Sequence, residues 1–441
     1  RFFYNKQTDS YLTKDADDAY YLYDSEHVDI PAGINDTQVP SFAYRQGRYT
    51  WYYNYDEHAK LRESRSLRNL SKYNGYGSAT FSAAVHGFRD AVNAGVIPDY
   101  DYGGYDIGSP QPCYNNEEVI EAAKTYFLGQ IEKKIASGYE IGKDITVVDV
   151  AQLDSGSFCK CKTCINAIAK ERSGVASVLY FTNEMADAIG EAYPGLWVSM
   201  FAYYGTSTPP AKTMPRDNVN VSYCFYNDID KLTCGNHTLD GKNCTEHPDD
   251  SYGTSNYNYA AEFDRWCQIA KRITVWYYPG NWALNSITNS TIKTMLKDMR
   301  YFSDNGVYGI YPCCSNPKKE TDWESIDALM LYLYNRLLWN AEMTEEEFQA
   351  EIDDYLYVLY GEGGKFVGDY YKWLETTDRI GCWPFMIAFG NPCDRTDFAK
   401  VRDGFELCLS MFDDAIKYAP SAKAEYGVRL ASRSMYVRGL I

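Results

Sequence analysis

The sequence has 441 residues and a mass of 50.4 kDa, roughly three times a common domain length, so it folds as one large barrel-type domain with attachments or as two to three smaller domains. With 45% hydrophobic and 23% charged residues it is globular in composition, and no run approaches the ~18 apolar residues of a membrane span. Its 43 Lys and Arg against 60 Asp and Glu leave a net charge of −17, which repels phosphate backbones and anionic lipid surfaces and speaks against nucleic acid and membrane as partners.

Residues 1–38 read as a lead-in from the end of a preceding domain, because Arg1-Phe2-Phe3 looks like the interior of a longer chain. Counting back from the clearer strands farther along the chain, Ser41–Gln46, Leu61–Leu70 and Thr80–Val85 read as the earlier strands, the third closed by His86-Gly87. A helix is predicted over Glu117–Ala136, opened by Asn115 and Glu118 as a capping box, with Val119, Ala123, Phe127, Ile131 and Ile135 on one face. Ile145–Leu153 is strand-like and passes through Asp154 into a Gly/Ser loop. A helix over Gly174–Ala192 aligns Val178, Thr182, Met185 and Ile189. Strands follow at Trp197–Tyr204, Val219–Phe225, Ile273–Tyr278 and Gly306–Tyr311, with a helix at Ile292–Ser303 before the last and one long loop, Lys231–Tyr259, after the second of the four. Continuous apolar strands alternating with helices argue for a parallel sheet buried on both faces. Eight such strands predict an α/β fold, a (β/α)8 TIM-like barrel over residues 39–315.

After Trp323 the pattern is purely helical, giving a C-terminal helical domain over residues 316–441. Its first helix covers Ile326–Trp339, and a second opens at Thr344 with Glu347 as a capping box. That second helix carries Phe348, Ile352 and Leu356 on one face and stops at Gly361. Gly361-x-Gly363-Gly364 lacks a preceding strand and reads as a turn, not a dinucleotide loop.

In a barrel of this kind, reacting groups stand at the C-terminal tips of the strands. Asp154 holds such a position and is a candidate general acid or base; the alternative is an Asp that caps the following loop. Asp228, after the sixth strand, is a second candidate carboxylate, or else a solvated loop residue. His86 closes the third strand and either faces the mouth or is a packed, hydrogen-bonded histidine. Tyr203, Trp276, Tyr277, Asn281 and Trp282 place rings and an amide near strand ends, where aromatic faces stack on the C–H faces of sugars or merely fill the core.

Thirteen cysteines cannot all pair within one chain. Cys159-x-Cys161-x-x-Cys164 suits a structural zinc if a fourth ligand comes from Cys224, Cys234, His237 or Cys244; disulfides to the same cysteines are the alternative. Either bond would tie this segment to the long loop. Cys313-Cys314 is a vicinal pair without an assigned role. Sequons at Asn35, Asn69, Asn220, Asn236, Asn243 and Asn289 permit glycosylation, and the chain leans toward a secreted or cell-surface location.

The stretches QLDSGSFCKCKTC (Gln152–Cys164), FAYYGTSTPP (Phe201–Pro210), VWYYPGNW (Val275–Trp282), GVYGIYPCC (Gly306–Cys314) and LLWNAEMTEEEFQAEIDDYLYVLYG (Leu337–Gly361) resemble the bacterial domain-of-unknown-function family 4838 from about Pro40 to Trp373. The family looks like a distant relative of barrel glycoside hydrolases such as α-glucuronidases and hexosaminidases. The resemblance implies a carbohydrate substrate, a (β/α)8 barrel with a helical C-terminal domain, and Asp154 as the carboxylate of the fourth strand. Where it implies further strand-end carboxylates, this chain has Asn227, Tyr277 and Pro312. The expected activity is hydrolysis of a complex glycan by two carboxyls with no cofactor; the alternative is a barrel that binds glycan without cleaving it.

Overall fold

The computed structural model describes residues 4–5, 10–11, 39–45, 86–98, 110–225, 259–277, 292–312, 328–376, 398–420, 422, 424–425 and 428–429. β1 (Tyr4–Asn5) and β2 (Ser10–Tyr11) form a small antiparallel pair. The main sheet contains β3 (Tyr44–Arg45), β4 (Val147–Asp149), β5 (Trp197–Ala202), β6 (Val219–Cys224), β7 (Arg272–Tyr277) and β8 (Gly309–Pro312). It is six-stranded in the order β3-β8-β7-β6-β5-β4, and every neighbouring pair is parallel. Helices intervene between its strands: α1 (Phe88–Asn93), α2 (Glu117–Ala136), α3 (Lys162–Glu171), α4 (Ala176–Ala192), α5 (Tyr259–Ile269) and α6 (Ile292–Asp304). The result is a barrel-like α/β arrangement. The strand-like runs Leu61–Leu70 and Thr80–Val85 lie outside the described residues, as does the long loop up to Tyr259, which opens α5.

β6 is buried at all six positions, which explains its continuous apolar character, and the two-residue period sorts its side chains between two faces. On the outer face Tyr223 meets Phe263 of α5 at 5.3 Å between ring centroids, and Phe225 meets Phe302 of α6 at 5.6 Å. Burying each such ring contributes about 1.5–3 kcal/mol. On the inner face Asn220 Nδ2 donates to Ser199 Oγ of β5 and Thr274 Oγ1 of β7, both at 3.0 Å. Asn220 is therefore a fully buried residue of the strand, and the sequon there is closed to glycosylation; the other sequons lie outside the described residues. One pleat toward the strand ends, the inner face turns aromatic. Phe201 meets Trp276 at 5.4 Å, and Trp276 meets Tyr311 at 4.4 Å.

Beyond β8 the described elements are all helices: α7 (Ala328–Trp339), α8 (Glu345–Tyr360), α9 (Gly364–Thr376) and α10 (Phe398–Lys417). α7 returns to the first strand of the sheet. The Ser41 N–H donates to Trp339 O at 2.9 Å, and the Arg45 guanidinium lies 5.3 Å from the centre of a Trp339 ring. The capping box at α8 has both halves, Glu347 N–H to Thr344 Oγ1 at 3.1 Å and Thr344 N–H to Glu347 Oε2 at 2.8 Å. Gly361 ends α8 with φ +54°, and Gly361–Gly363 is a 3-10 turn. A Cβ on Gly363 would lie 2.6 Å from the Ala415 carbonyl of α10, so this glycine serves close helix packing.

Local expectations shift in several places. α2 is capped by Asn116, whose side chain accepts from Glu118 N–H, so the reading of Asn115 as the cap is corrected. Asn115 instead donates to Cys164 Sγ at 3.2 Å and Ser177 Oγ at 2.6 Å. Val119, Ala123, Phe127 and Ile131 are buried, but Ile135, in the last turn, is exposed. The strand expected over Ile145–Leu153 ends its ladder at Asp149, whose carboxylate accepts the Ala151 N–H at 3.0 Å. α3 forms inside the segment expected to be loop. Its start is the Cys161 sulfur, which accepts the Cys164 N–H and acts as the N-cap.

Candidate functional site

The Asp154 segment is held by side chains from distant parts of the chain. Gln111 is buried, and its Nε2 donates to Leu153 O at 2.6 Å and Ser155 O at 2.8 Å. Its Oε1 accepts the Leu153 N–H at 3.1 Å and the Tyr114 hydroxyl at 2.8 Å. One amide therefore grips the backbone on both sides of Asp154. Gln152 is likewise buried and donates through Nε2 to Phe201 O at 3.1 Å and Thr206 Oγ1 at 2.9 Å, joining the segment to the end of β5.

Asp154 emerges from this frame with its side chain 29% exposed. The Tyr203 hydroxyl donates to Asp154 Oδ1 at 3.1 Å. Among the described residues Oδ2 accepts no hydrogen bond. His86 Nε2 stands 3.9 Å from Oδ1, too far for a hydrogen bond. The other imidazole nitrogen, Nδ1, lies 2.6 Å from Gln152 O. A carbonyl only accepts, so Nδ1 carries the proton and Nε2 faces Asp154. Burial lowers the His86 pKa, against the opposing pull of the Asp154 charge and the Gln152 carbonyl. Neutral His86 is thus favoured.

The backbone here is constrained as well. His86 has φ +61°, a region that costs a non-glycine residue energy. A Cβ on Gly87 would sit 2.0 Å from Asp149 O, so only glycine fits beside β4. The Phe88 N–H then donates to Ala151 O at 3.0 Å. Under this polar cluster, His86 and Tyr203 both contact Phe201, at 4.7 and 5.9 Å between centroids, and the Phe201, Trp276 and Tyr311 rings form an aromatic floor.

Of the residues selected from the sequence, Asp154, His86, Tyr203 and Trp276 come together. Tyr277 does not. It follows Trp276 by one residue and so points through the sheet's other face, fully buried, with Phe302 at 5.8 Å and Tyr334 at 6.2 Å. The expectation that Tyr277 binds substrate is corrected on that ground. Asp228, Asn281 and Trp282 lie outside the described residues. Sequence reasoning misses Gln111, Gln152 and Phe201 as site residues. Glutamines carry no spacing signal, and Phe201 reads as strand core.

The cysteines form a second centre beside this one. Cys113, Cys159, Cys161 and Cys164 place their sulfurs within 4.8 Å of one another. Cys113 Sγ is 3.8 Å from Cys161 Sγ and 3.7 Å from Cys164 Sγ. The fourth sulfur is that of Cys113 and not of Cys224, which is buried in β6 outside this group, while Cys234, His237 and Cys244 lie outside the described residues. All four thiols are free, so no disulfide joins them. Burial pushes the Cys113 thiol up to about 12, whereas the Cys164 N–H donated to Cys161 lowers that thiol to about 6. Cys313 and Cys314 are not among the described residues, and no described helix is long and apolar enough to cross a membrane.

Comparison with known proteins adds a family. A family model described as "Domain of unknown function (DUF4838)" matches residues 16–372. No curated protein matches. Among solved structures, a GH138 enzyme targeting pectin rhamnogalacturonan II aligns with a TM-score of 0.37 and 11% identity over 91% of this chain. The aligned part is 57% of that enzyme, so this chain spans little more than half its length.

Proposed function

The chain belongs to the DUF4838 family, and we propose that it is a glycoside hydrolase acting on a complex glycan through Asp154. The observation that carries this reading is a partly exposed carboxyl in the segment that follows β4, with Oδ1 held by Tyr203 and His86 beside it, above a floor of Phe201, Trp276 and Tyr311. A carboxyl so placed can pass a proton to or from a glycosidic oxygen through Oδ2. The rings below favour the C–H faces of a sugar. Asp228 is proposed as the second carboxyl; a retaining mechanism uses a pair ~5 Å apart and an inverting one a pair ~6.5–9.5 Å apart. No cofactor takes part in that chemistry.

The same proposal includes closure of the sheet into eight strands. β3 and β4 are its two edges, and residues 46–85, which lie between them in the chain, carry the strand-like runs Leu61–Leu70 and Thr80–Val85. Support comes from the contacts of Phe88 N–H with Ala151 O and of His86 with Gln152 O, which join the residues just after Val85 to the segment that follows β4. A helical domain over residues 316–441 and a secreted or cell-surface location belong to this reading too.

The second reading, a barrel that holds glycan without cleaving it, is favoured by one observation: among the described residues, Asp154 is the one carboxyl in contact with His86 and Tyr203. Incubating the protein with a panel of plant and bacterial polysaccharides separates the two. New reducing ends that disappear in both Asp154→Asn and Asp228→Asn support hydrolysis. Binding on a glycan array with no product from any polysaccharide supports the binding barrel.

A further inference from the structure

We propose that Cys113, Cys159, Cys161 and Cys164 bind one zinc ion, and that this ion clamps residues 110–116 onto the segment carrying Asp154. Sulfurs bound to zinc at ~2.3 Å and arranged tetrahedrally lie ~3.8 Å apart. The contacts from Cys113 to Cys161 and Cys164, 3.8 and 3.7 Å, have that spacing. The four residues come from two segments that meet only through the fold, and all four sulfurs fall within 4.8 Å.

Two of the four sulfurs accept hydrogen bonds from nearby N–H groups. The Cys164 N–H donates to Cys161 Sγ at 3.5 Å, and Asn115 Nδ2 donates to Cys164 Sγ at 3.2 Å. Cys161 also caps the N-terminus of α3, where the helix dipole favours negative charge. Exposed Lys160 and Lys162 flank it in the sequence. On binding, each thiol proton passes to solvent and each sulfur gives a lone pair to the metal. Four sulfurs leave no open position, so the site is structural.

Its consequence follows from Gln111, two residues before Cys113. The Gln111 amide holds Leu153 and Ser155 on either side of Asp154, and the Gln111 N–H donates to Ser157 O at 2.9 Å. Fixing Cys113 therefore fixes the grip on Asp154. This inference does not depend on the proposed hydrolysis.

The test is metal analysis of the purified full chain, reduced and reconstituted with zinc and then freed of excess metal. We expect one zinc per chain and, after cobalt exchange, the absorption of a tetrahedral four-thiolate site. Cys113→Ser should lose the stoichiometric metal, whereas Cys267→Ser, outside the cluster, should keep it. Should Cys113→Ser fail to fold, the wild-type stoichiometry and cobalt spectrum still decide. Absence of metal from the reconstituted wild type, full zinc retention by Cys113→Ser, or disulfides among the four cysteines in peptide maps would each overturn the site. Removing the metal with a chelator should speed hydrogen exchange at the Leu153 amide; unchanged exchange would overturn the clamp.

Discussion

Around β4 and β5 the mouth of the sheet is held by directed polar contacts between segments far apart in the chain, whereas at β7 and β8 it is held by rings. On the first side Gln111, His86 and Tyr203 each fix a named atom of the Asp154 segment, and Gln152 within that segment donates to Phe201 O of β5. On the second, Trp276 and Tyr311 meet at 4.4 Å in a tilted contact. Directed bonds fail when a single donor is removed, because the partner stays buried and unsatisfied. Ring packing spreads its energy over many weak atom pairs and tolerates a change of similar shape. The β4 side is therefore suited to placing a proton, and the β7–β8 side to accommodating a ligand's surface.

The largest test of that contrast compares the two sides by near-isosteric changes. Asp154→Asn keeps shape and removes the titrating proton, so turnover of a cleaved glycan should fall by on the order of 10²–10⁴ while glycan binding persists. Trp276→Phe keeps a ring against Phe201 and Tyr311, and should cost about 1 kcal/mol of stability with a much smaller loss of turnover. Steady-state kinetics with binding isotherms read both. A Trp276 variant that lost more turnover than Asp154→Asn would reverse the assignment of roles.

A smaller effect is expected at Gln111, which bears on how far the polar side depends on one amide. Gln111→Ala leaves the Leu153 N–H and C=O, the Ser155 C=O and the Tyr114 hydroxyl without the partners they now have. Unpaired buried groups cost about 1–3 kcal/mol each, and water admitted to the gap returns part of that, so a net loss of about 3 kcal/mol is expected. Urea denaturation measures it as a lower midpoint at unchanged slope. A loss below about 0.5 kcal/mol would mean the grip is carried elsewhere.

The same contrast explains what the sequence disclosed. The β5–β8 strands were legible because buried parallel strands read as continuous apolar runs, and α8 because Thr344 and Glu347 write a local capping rule. The exposure of Asp154 beside Tyr203 agrees with its place after an apolar run. The Cys-x-Cys-x-x-Cys segment marked a sulfur centre, but the Cys113 partner lies 46 residues before Cys159 and no local pattern links them. Gln111 was hidden for the same reason. Tyr277 shows the opposite failure: its place next to Trp276 at the end of an apolar run grouped the two, and the two-residue period of the strand sends it to the other face. Local rules state which element forms; contacts across the sheet decide which side chains meet.

The finest test uses the proton on His86. Burial lowers its folded pKa, chiefly by disfavouring the charged imidazole, below the ~6.5 of an unfolded histidine. Below pH ~6.5 the unfolded chain takes up a proton that the folded chain declines, so the contribution of His86 to stability is complete above that pH and falls as the solution is acidified. The slope is at most about 1.4 kcal/mol per pH unit and ends at the folded pKa. His86→Asn removes the titration, retains an N–H for the Gln152 carbonyl, and tolerates φ +61° better than most residues. Its thermal midpoint should depend less on pH below ~6.5 than that of the wild type. The other histidines are common to both proteins and cancel in the comparison. Asp154→Asn should act in the opposite sense: without the carboxylate charge that raises the His86 pKa, the folded pKa drops further and the acid-side loss extends to lower pH. Coincident pH profiles for wild type and His86→Asn would show that the imidazole titrates alike folded and unfolded. Burial and the pull of Asp154 and the Gln152 carbonyl would then offset each other at the imidazole.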